Sequence, residues 1–342
     1  MNRGTIPRSL LGTVFATAFA ALSGAAMLTA ASESVAQPAQ SSYPARPVRI
    51  IVTFSAGGAA DFTARVVGER LSELWKQPVV VENRIGAGGN IGVEAVVRAT
   101  PDGHTLLLAS SAQPINVALY PKLSFDLFKD LVPVALVTVS PMALAVNPKV
   151  KETDLRSFTA NMRANPGKLS YATCGVATSH HFAFELYKIQ AKLSALHIPY
   201  RGCAAAVADA VGGQVETVMS SLNTLLPHQA AGRLRVLAIT ARDRSASAPD
   251  VPTFRESGVP ELKDYASSVY YGFMVPTGTP ADIVSKIEGD LRKVMALPEV
   301  AKRVSGGGME VAFVNGKEMG ALLRADVEQL RRIVEVAGIK PE

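Results

Sequence analysis

A glycine turn between a strand-like run and a helical run, residues 54–61 (FSAGGAAD), constrains the fold more than any other stretch. The apolar, β-branched run 48–53 precedes it, and Ala64, Val67 and Leu71 follow at helical spacing. A strand that turns directly into a helix leaves the first N–H groups of the helix unpaired beyond the carboxyl end of the strand. Glycine permits close approach to the backbone and the helix dipole favours negative charge, so the turn predicts an anion site.

A second glycine turn, residues 83–92 (NRIGAGGNIG), follows the next strand-like run, 79–82. We interpret the two turns as one half of a cleft that binds a small carboxylate. A dinucleotide fingerprint, G-x-G-x-x-G, would need glycine at position 91, where the sequence has Ile91. No G-x-x-x-x-G-K-[ST] motif occurs either. We therefore expect no nucleotide and no other cofactor.

Composition indicates a folded chain with two domains of ordinary size. Of the 342 residues 48% are hydrophobic and 19% are charged, which suits large cores and excludes a disordered chain. The net charge of +6 is spread without a lysine-rich run, so we expect no nucleic-acid partner.

The first 36 residues have the pattern of a secretory signal peptide. Arg3 and Arg8 precede the apolar run 10–31, and Ser34-Val35-Ala36 fits a cleavage site before Gln37. The alternative is a retained membrane anchor. We expect a mature chain that begins at Gln37 and is soluble and exported.

The rest of the chain alternates strand-like and helical runs twice over. Apolar runs at 131–137 and 142–146 interrupt the alternation, and we place the first crossing between lobes in the second run. The run 269–275 is interpreted as the return crossing. This predicts two α/β domains joined by a two-strand hinge, with a ligand between them. The first lobe comprises 37–145 and 273–342, and the second lobe comprises 146–272.

The two cysteines, Cys174 and Cys203, each follow a predicted strand, and one helical crossover joins those strands. In a parallel sheet the two strands can be neighbours with both loops at one edge. In an exported protein such a pair favours a disulfide, and the alternative is two reduced, buried thiols.

The sequence contains few catalytic signatures. There is no G-x-S-x-G motif, and His180 and His181 are adjacent, so they cannot both face one metal ion as residues four apart on a helix do. We expect one of them on the surface or at a cap and the other in the cleft. Asp61, in the first turn of a helix, is more typical of dipole and capping support than of a general base. The simpler hypothesis is a monomer that binds without chemistry, with no catalytic residue and no metal.

Six segments occur in this order along the chain: IIVTFSAGGAAD, VVVENRIGAGGNIG, ATPDGHTLLL, YATCGVATSHH, IPYRGCAAAVADAVGGQVE and MVPTGTPADIV. Together they resemble the tripartite tricarboxylate transporter substrate-binding proteins, which are the Bug receptors of the TctC family. The resemblance covers essentially the whole mature chain. It implies a periplasmic, two-lobed, type II-like binding protein that closes over an organic acid and passes it to membrane permease subunits. It also implies that backbone N–H groups and ordered waters hold the carboxylate.

The resemblance assigns contacts from both lobes. The ligand-binding residues it implies are Ser55, Ala56, Gly57, Gly58, Ala59, Ala60, Asp61, Gly86, Ala87, Gly88, Ser110, Ser111, Thr178, Ser179, His180 and Asn223. The chain departs from the family where Ser55-Ala56 replaces two prolines and where Ala60 replaces a hydroxyl residue.

Two other functions remain open on the sequence. One is a ligand-sensing periplasmic protein that signals to a membrane partner. The other is an exported enzyme that acts on a carboxylate with Asp61 or His180 as its base.

Overall fold

The computed structural model describes Met1 and residues 43–340. Apart from Met1, the predicted signal peptide, residues 1–36, lies outside the described residues. The chain divides into two compact units, Met1–Tyr43 and Pro44–Glu342, and every element below belongs to the second.

The second unit is a mixed α/β structure. Its strands are β1 (Val48–Val52), β2 (Val79–Asn83), β3 (Thr105–Ser110), β4 (Leu131–Val146), β5 (Ser170–Thr173), β6 (Leu196–Pro199), β7 (Thr217–Ser221), β8 (Arg235–Ile239), β9 (Ser268–Pro276) and β10 (Glu310–Asn315). Its helices are α1 (Ala59–Trp75), α2 (Asn90–Val97), α3 (Ala112–Leu119), α4 (Leu155–Ala164), α5 (Ser179–Ala191), α6 (Cys203–Gly212), α7 (Leu222–Ala230), α8 (Ala281–Met295), α9 (Pro298–Gly306) and α10 (Gly316–Ala337).

The first lobe is built on a sheet in the order β2-β1-β3-β9-β4, with β10 on the other side of β4. β1 pairs in parallel with β2 and β3, so the loops that leave these three strands meet at one edge. β9 runs antiparallel to both β3 and β4. The parallel part of the sheet therefore brings the two glycine turns together, as the sequence predicts.

The second lobe is built around the carboxyl-terminal half of β4. That half pairs antiparallel with β7 on one side and β8 on the other. β5 lies between β7 and β6 and is parallel to both. The α/β class and two lobes linked through β4 and β9 are thus confirmed, whereas the lobe boundaries at 145/146 and 272/273 stay a prediction.

The apolar runs 131–137 and 142–146, predicted as separate segments, belong to one strand. β4 is almost wholly buried, which removes the alternation that would have marked it as continuous. Its register against β9 shifts twice, first next to Pro133. Pro141 lies where β4 passes from one sheet to the other. Because proline has no N–H to donate, it is tolerated at such irregular points.

Three elements were not predicted from the sequence. They are α3, which begins at Ala112 directly after β3, α9 and β10. β10 is half-buried along its whole length, so it shows no alternation of apolar and polar residues.

α10 connects the cores of the two lobes. It contacts α3 of the first lobe and α5 of the second. Met319 and Leu323 belong to the core that contains β3 and β9, whereas Ile333 packs with Phe158 and Phe184 of the second lobe. Within the described residues, none of the helices combines the length and the apolar character that crossing a bilayer requires.

We expect Gly272→Ala to destabilise the hinge. A Cβ at Gly272 of β9 would lie 2.7 Å from the carbonyl oxygen of Ala135 and 2.8 Å from Cε of Met319, so backbone would have to move. Overpacking of this kind costs about 1–3 kcal/mol of unfolding free energy. Urea denaturation checks this, with Gly289→Ala in α8 as the control, because a Cβ at Gly289 meets nothing within 4 Å. Equal stability of the two variants would contradict the packing argument.

Candidate ligand-binding cleft

The first glycine turn is held in place by Asp61. Its Oδ2 accepts from the backbone N–H of Gly57 at 2.9 Å and from Nε of Arg65 at 2.9 Å, and its Oδ1 accepts from Nδ2 of Asn83 at 3.0 Å. The Asp61 side chain is 3% exposed, whereas residues 55–59 are exposed. The carboxylate thus orders the turn from behind and leaves its outer side to solvent.

These partners determine the ionisation of Asp61. The hydrogen bond from Arg65, helped by those from Gly57 and Asn83, lowers the pKa of Asp61 to about 2 even though burial opposes it. Such a carboxylate is a weak base, and its oxygens are already occupied. Asp61 is therefore suited to positioning the turn, in agreement with the interpretation that favoured dipole and capping support over general base catalysis.

The start of α1 presents backbone donors. Gly58 precedes α1 in an extended conformation, and no side chain caps the helix there. The N–H of Phe62 bonds to the carbonyl of Gly58, as the first intrahelical bond requires. The N–H groups of Ala59 and Ala60 precede that bond and have no intrahelical acceptor. Donors of this kind at the positive end of a helix dipole are favourable for an anion.

The second turn is a left-handed run. Gly86, Ala87, Gly88 and Gly89 have φ values of 122°, 48°, 63° and 97°. Only glycine adopts such angles without strain, which explains the three glycines. Nδ2 of Asn116 donates to the carbonyl of Gly88 at 2.9 Å and fixes the turn on α3.

The two turns are joined to each other. Nδ2 of Asn83, at the start of the second turn, donates to the carbonyl of Phe54 at 3.0 Å as well as to Asp61. Thr53 lies against Gly89, with its side-chain atoms about 3 Å from where a Cβ would stand. The side-chain oxygen of Thr53 is buried and has no hydrogen-bond partner among the described residues.

The third loop follows β3. The side-chain oxygen of Gln113 accepts from both the backbone N–H and the hydroxyl of Ser110, whereas its amide nitrogen has no partner among the described residues. Gln113 and Ser110 are 2% and 3% exposed, so these polar groups are withdrawn from bulk water. A buried donor without a protein partner costs free energy unless a ligand or water accepts from it.

The second lobe supplies another helix N-terminus. Oγ1 of Thr178 accepts from the N–H of His181 at 3.3 Å and so caps α5, and it donates to the carbonyl of Gly175 at 2.9 Å. Thr178 is the N-cap, and Ser179 is the first residue of α5. The hydroxyl of Ser179 is therefore not needed for capping and is available for other contacts.

The predicted disulfide between Cys174 and Cys203 is present. β5 and β6 are parallel neighbours, as predicted, so the loops after them are covalently joined at the edge of the sheet. Nε2 of His180 lies 3.1 Å from Oγ of Ser221 and 3.9 Å from Sγ of Cys203. The disulfide uses both sulfurs, so these three side chains do not form a metal site in this state.

Both adjacent histidines are buried, with 9% of His180 and 6% of His181 exposed. Of the two predicted places for the first histidine, the surface is therefore wrong, whereas a place at the helix cap agrees with His181, whose Nδ1 accepts from the backbone N–H of Ala177 at 3.2 Å. The two side chains point about a quarter-turn apart on the helix, and both directions lead into the protein. His181 stacks on His197, and His180 faces the disulfide. Burial lowers the pKa of His180 to about 4, so its imidazole is neutral at pH 7.

Contacts between the lobes include two that involve predicted site residues. Oγ of Ser111 in the first lobe lies 2.9 Å from Oγ of Ser179 in the second. Asn223 lies against Gly308, where a Cβ would stand 2.2 Å from Nδ2 of Asn223. Gly308 has φ of 74° and tolerates both the angle and the close approach only because it is glycine.

The structure brings the predicted residues together with two differences. Asn223, to which no element was assigned from the sequence, lies in the first turn of α7, directly after β7. The turn at Gly307-Gly308, which meets Asn223, was not recognised from the sequence, although three consecutive glycines could have indicated it. Gly307 packs against Phe62 of α1. This contact places the turn at 307–308 next to the first glycine turn.

Comparison with known proteins identifies the family of this chain. A model of the tripartite tricarboxylate transporter family receptor, TctC, matches residues 63–339. The chain belongs to this family. BugT of Bordetella pertussis is 34% identical over 313 residues, which are 91% of this chain and 95% of BugT. The resemblance to the Bug receptors is confirmed, and the family consists of periplasmic solute-binding receptors.

Two solved structures of TctC relatives from Rhodopseudomonas palustris carry bound acids. One, with adipate, is 26% identical and superposes with a TM-score of 0.71 over 88% of this chain and 100% of its own. MatC, with bound malate, is 28% identical with a TM-score of 0.67 over 85% of this chain and 100% of its own.

We expect the unfolding free energy of Asp61→Asn to change less between pH 4 and pH 2 than that of the wild type. The folded pKa of Asp61 is about 2, below the ordinary aspartate value of 3.8, so its contribution to stability is present above about pH 4 and is lost as the pH falls towards 2. The variant should lose about 1–2 kcal/mol at pH 7 and show a smaller loss between pH 4 and pH 2. Urea unfolding from pH 2 to 7 measures this, with the exposed Asp250→Asn as control. Parallel profiles of Asp61→Asn and the wild type would contradict the account.

Reduction of the disulfide should lower the unfolding free energy by about 3–4 kcal/mol, because the bond closes a long loop in the unfolded chain. Urea unfolding with and without a phosphine reductant measures the difference. The Cys174→Ala/Cys203→Ala double variant is the control and should not respond to reductant. A wild type that does not respond would show that the bond contributes little.

Proposed function

We propose that this protein is a periplasmic receptor that closes its two lobes over a small organic carboxylate. The observation that carries the proposal is the pair of glycine turns, which present backbone donors at one sheet edge beside the start of α1. The second lobe faces them with the N-terminus of α5, and Ser111 and Ser179 already touch. Relatives with bound malate and adipate support the same class of ligand.

The chemistry of the cleft favours binding by neutral donors. Residues 55–60 and 86–89 contain no lysine or arginine, and the single acid beside them, Asp61, is neutralised by Arg65. N–H groups and hydroxyls therefore supply the hydrogen bonds to the ligand, and the helix dipoles supply positive potential. Specificity then depends on the spacing between the turns and on how far the lobes close, more than on a charged clamp.

Binding without turnover follows from the state of the candidate bases. Asp61 has a pKa of about 2 with its oxygens occupied, and His180 is neutral and turned towards Ser221 and the disulfide. Neither is poised to accept a proton from a ligand in the cleft at neutral pH. We propose a monomer that delivers its acid to membrane permease subunits, with the lobes hinged at β4 and β9.

The proposal is tested by a thermal-shift screen of the protein from Gln37 onward, refolded from denaturant to remove carried ligand. Malate, adipate, aromatic acids, amino acids and dinucleotides form the panel. An acid at about 100 times its Kd should stabilise the folded state by about 2.7 kcal/mol. A dinucleotide response without any response to acids would overturn the proposal.

Gly58→Val should abolish that response while leaving the fold intact. At Gly58 φ is −79° and a Cβ meets only the carbonyl oxygen of Ser55, at 3.5 Å, so valine fits the backbone but covers the anion site. Gly289→Val, in the open surface of α8, is the matched control. Normal acid binding by Gly58→Val would show that the turn is not the site.

A further inference from the structure

A cavity of about 410 Å³ lies beneath α10, where the two lobes meet. Apolar side chains from both lobes line it, among them Leu136 and Val139 of β4 and Phe182 and Leu186 of α5. Leu322, Leu330 and Ile333 of α10 form its cover. This volume and lining are typical of sites that bind small organic molecules.

The cavity adjoins the cleft without being part of its glycine turns. Ser111 and Ser179 line the cavity, and their hydroxyls lie 2.9 Å apart, so these two residues are shared between the cavity and the predicted cleft. The turns at 55–61 and 86–89 do not line it. A molecule beneath α10 would therefore leave the backbone donors of the cleft available.

The polar pair in the wall of the cavity, Tyr270 and Asp326, is hydrogen-bonded to itself. The hydroxyl of Tyr270 donates to Oδ2 of Asp326 at 2.6 Å. Burial raises the pKa of Asp326, since desolvation disfavours the charged carboxylate. The Asp326 carboxyl group therefore already has a hydrogen-bond donor and does not require a cationic ligand.

The mouth of the cavity is basic. Arg242 lines it and is exposed, and it makes no hydrogen bond or ion pair among the described residues. A neighbouring surface depression shares Arg242 and also contains Arg244, Arg255 and Lys263, against only Asp243 and Glu256. The local potential favours an anion, and an arginine without a partner is the usual recognition group for a carboxylate.

We propose that this cavity is a second binding site, which takes a monocarboxylic acid with an aromatic or branched apolar body. The body lies between α10, α5 and β4, and the carboxylate pairs with Arg242. Because both lobes contribute to the walls, the occupant binds one arrangement of the lobes better than another. The site is thereby thermodynamically coupled to the cleft.

Isothermal titration of the refolded protein with 2-naphthoate tests the proposal, and 2-naphthylmethylammonium and succinate serve as comparison probes. We expect one 2-naphthoate per chain and no measurable binding of the ammonium probe beneath α10. Binding of the ammonium probe with equal affinity, or no binding of 2-naphthoate, would overturn the proposal.

Two variants locate the bound probe. Arg242→Gln should weaken 2-naphthoate at least about tenfold, because a charge-assisted pair is lost, whereas Arg233→Gln, an exposed arginine outside the cavity, should not. Ala312→Phe fills the cavity and should abolish binding. If Ala312→Phe does not fold, Leu322→Trp is the second filler, since Leu322 is 36% exposed on α10 and accommodates a larger side chain.

The cleft variant separates this inference from the proposed function. Gly58→Val should keep 2-naphthoate binding, and Ala312→Phe should keep the thermal response to malate or adipate. Loss of 2-naphthoate in Gly58→Val with retention in Ala312→Phe would place the probe in the cleft and overturn the second site. A failed acid screen with 2-naphthoate binding beneath α10 would remove the proposed function and leave the second site standing.

Discussion

The buried carboxylate of Asp61 is the interaction on which the first half of the cleft depends. A glycine turn has little conformational preference of its own, so a ligand that ordered it would lose affinity to that ordering. The Asp61 carboxylate accepts hydrogen bonds from Gly57, Arg65 and Asn83, and these bonds order the turn before a ligand binds. In the proposed site, these preorganised backbone donors supply the hydrogen bonds to the anion.

The hinge imposes the second constraint. β4 runs through both sheets, and α10 packs on α3 and α5, so the lobes share a strand and a helix. Movement of one lobe relative to the other must change the packing beneath α10. The cavity at that place is a consequence of the same geometry, because a joint that rearranges cannot be packed as tightly on every side as a fixed core.

Local features could be predicted from the sequence. The strand, turn and helix around residues 54–61 are consecutive in the chain, and their glycine and apolar patterns identify them directly. The disulfide was also accessible, because Cys174 and Cys203 follow two strands that one helix connects. In both cases short-range connectivity determines which residues meet.

Contacts that depend on tertiary closure could not be predicted in the same way. Ser111 and Ser179 are 68 residues apart and lie in different lobes, so no local pattern links them. β10 carries no alternation because it is half-buried throughout, and the turn at Gly308 meets Asn223 only after β10 has paired with β4. The boundaries of the lobes and the identity of the ligand-binding residues remain predictions for the same reason.

The central claim is that backbone N–H groups of the glycine turns hold the carboxylate. Protein labelled with ¹⁵N only at glycine and alanine, titrated with the acid that the screen identifies, tests it most directly by transverse-relaxation-optimised NMR. The account predicts that the amides of Gly58, Ala59, Ala60 and Gly88 shift most, whereas Gly289 in α8 does not move. Saturable binding that leaves those four amides in place would contradict it.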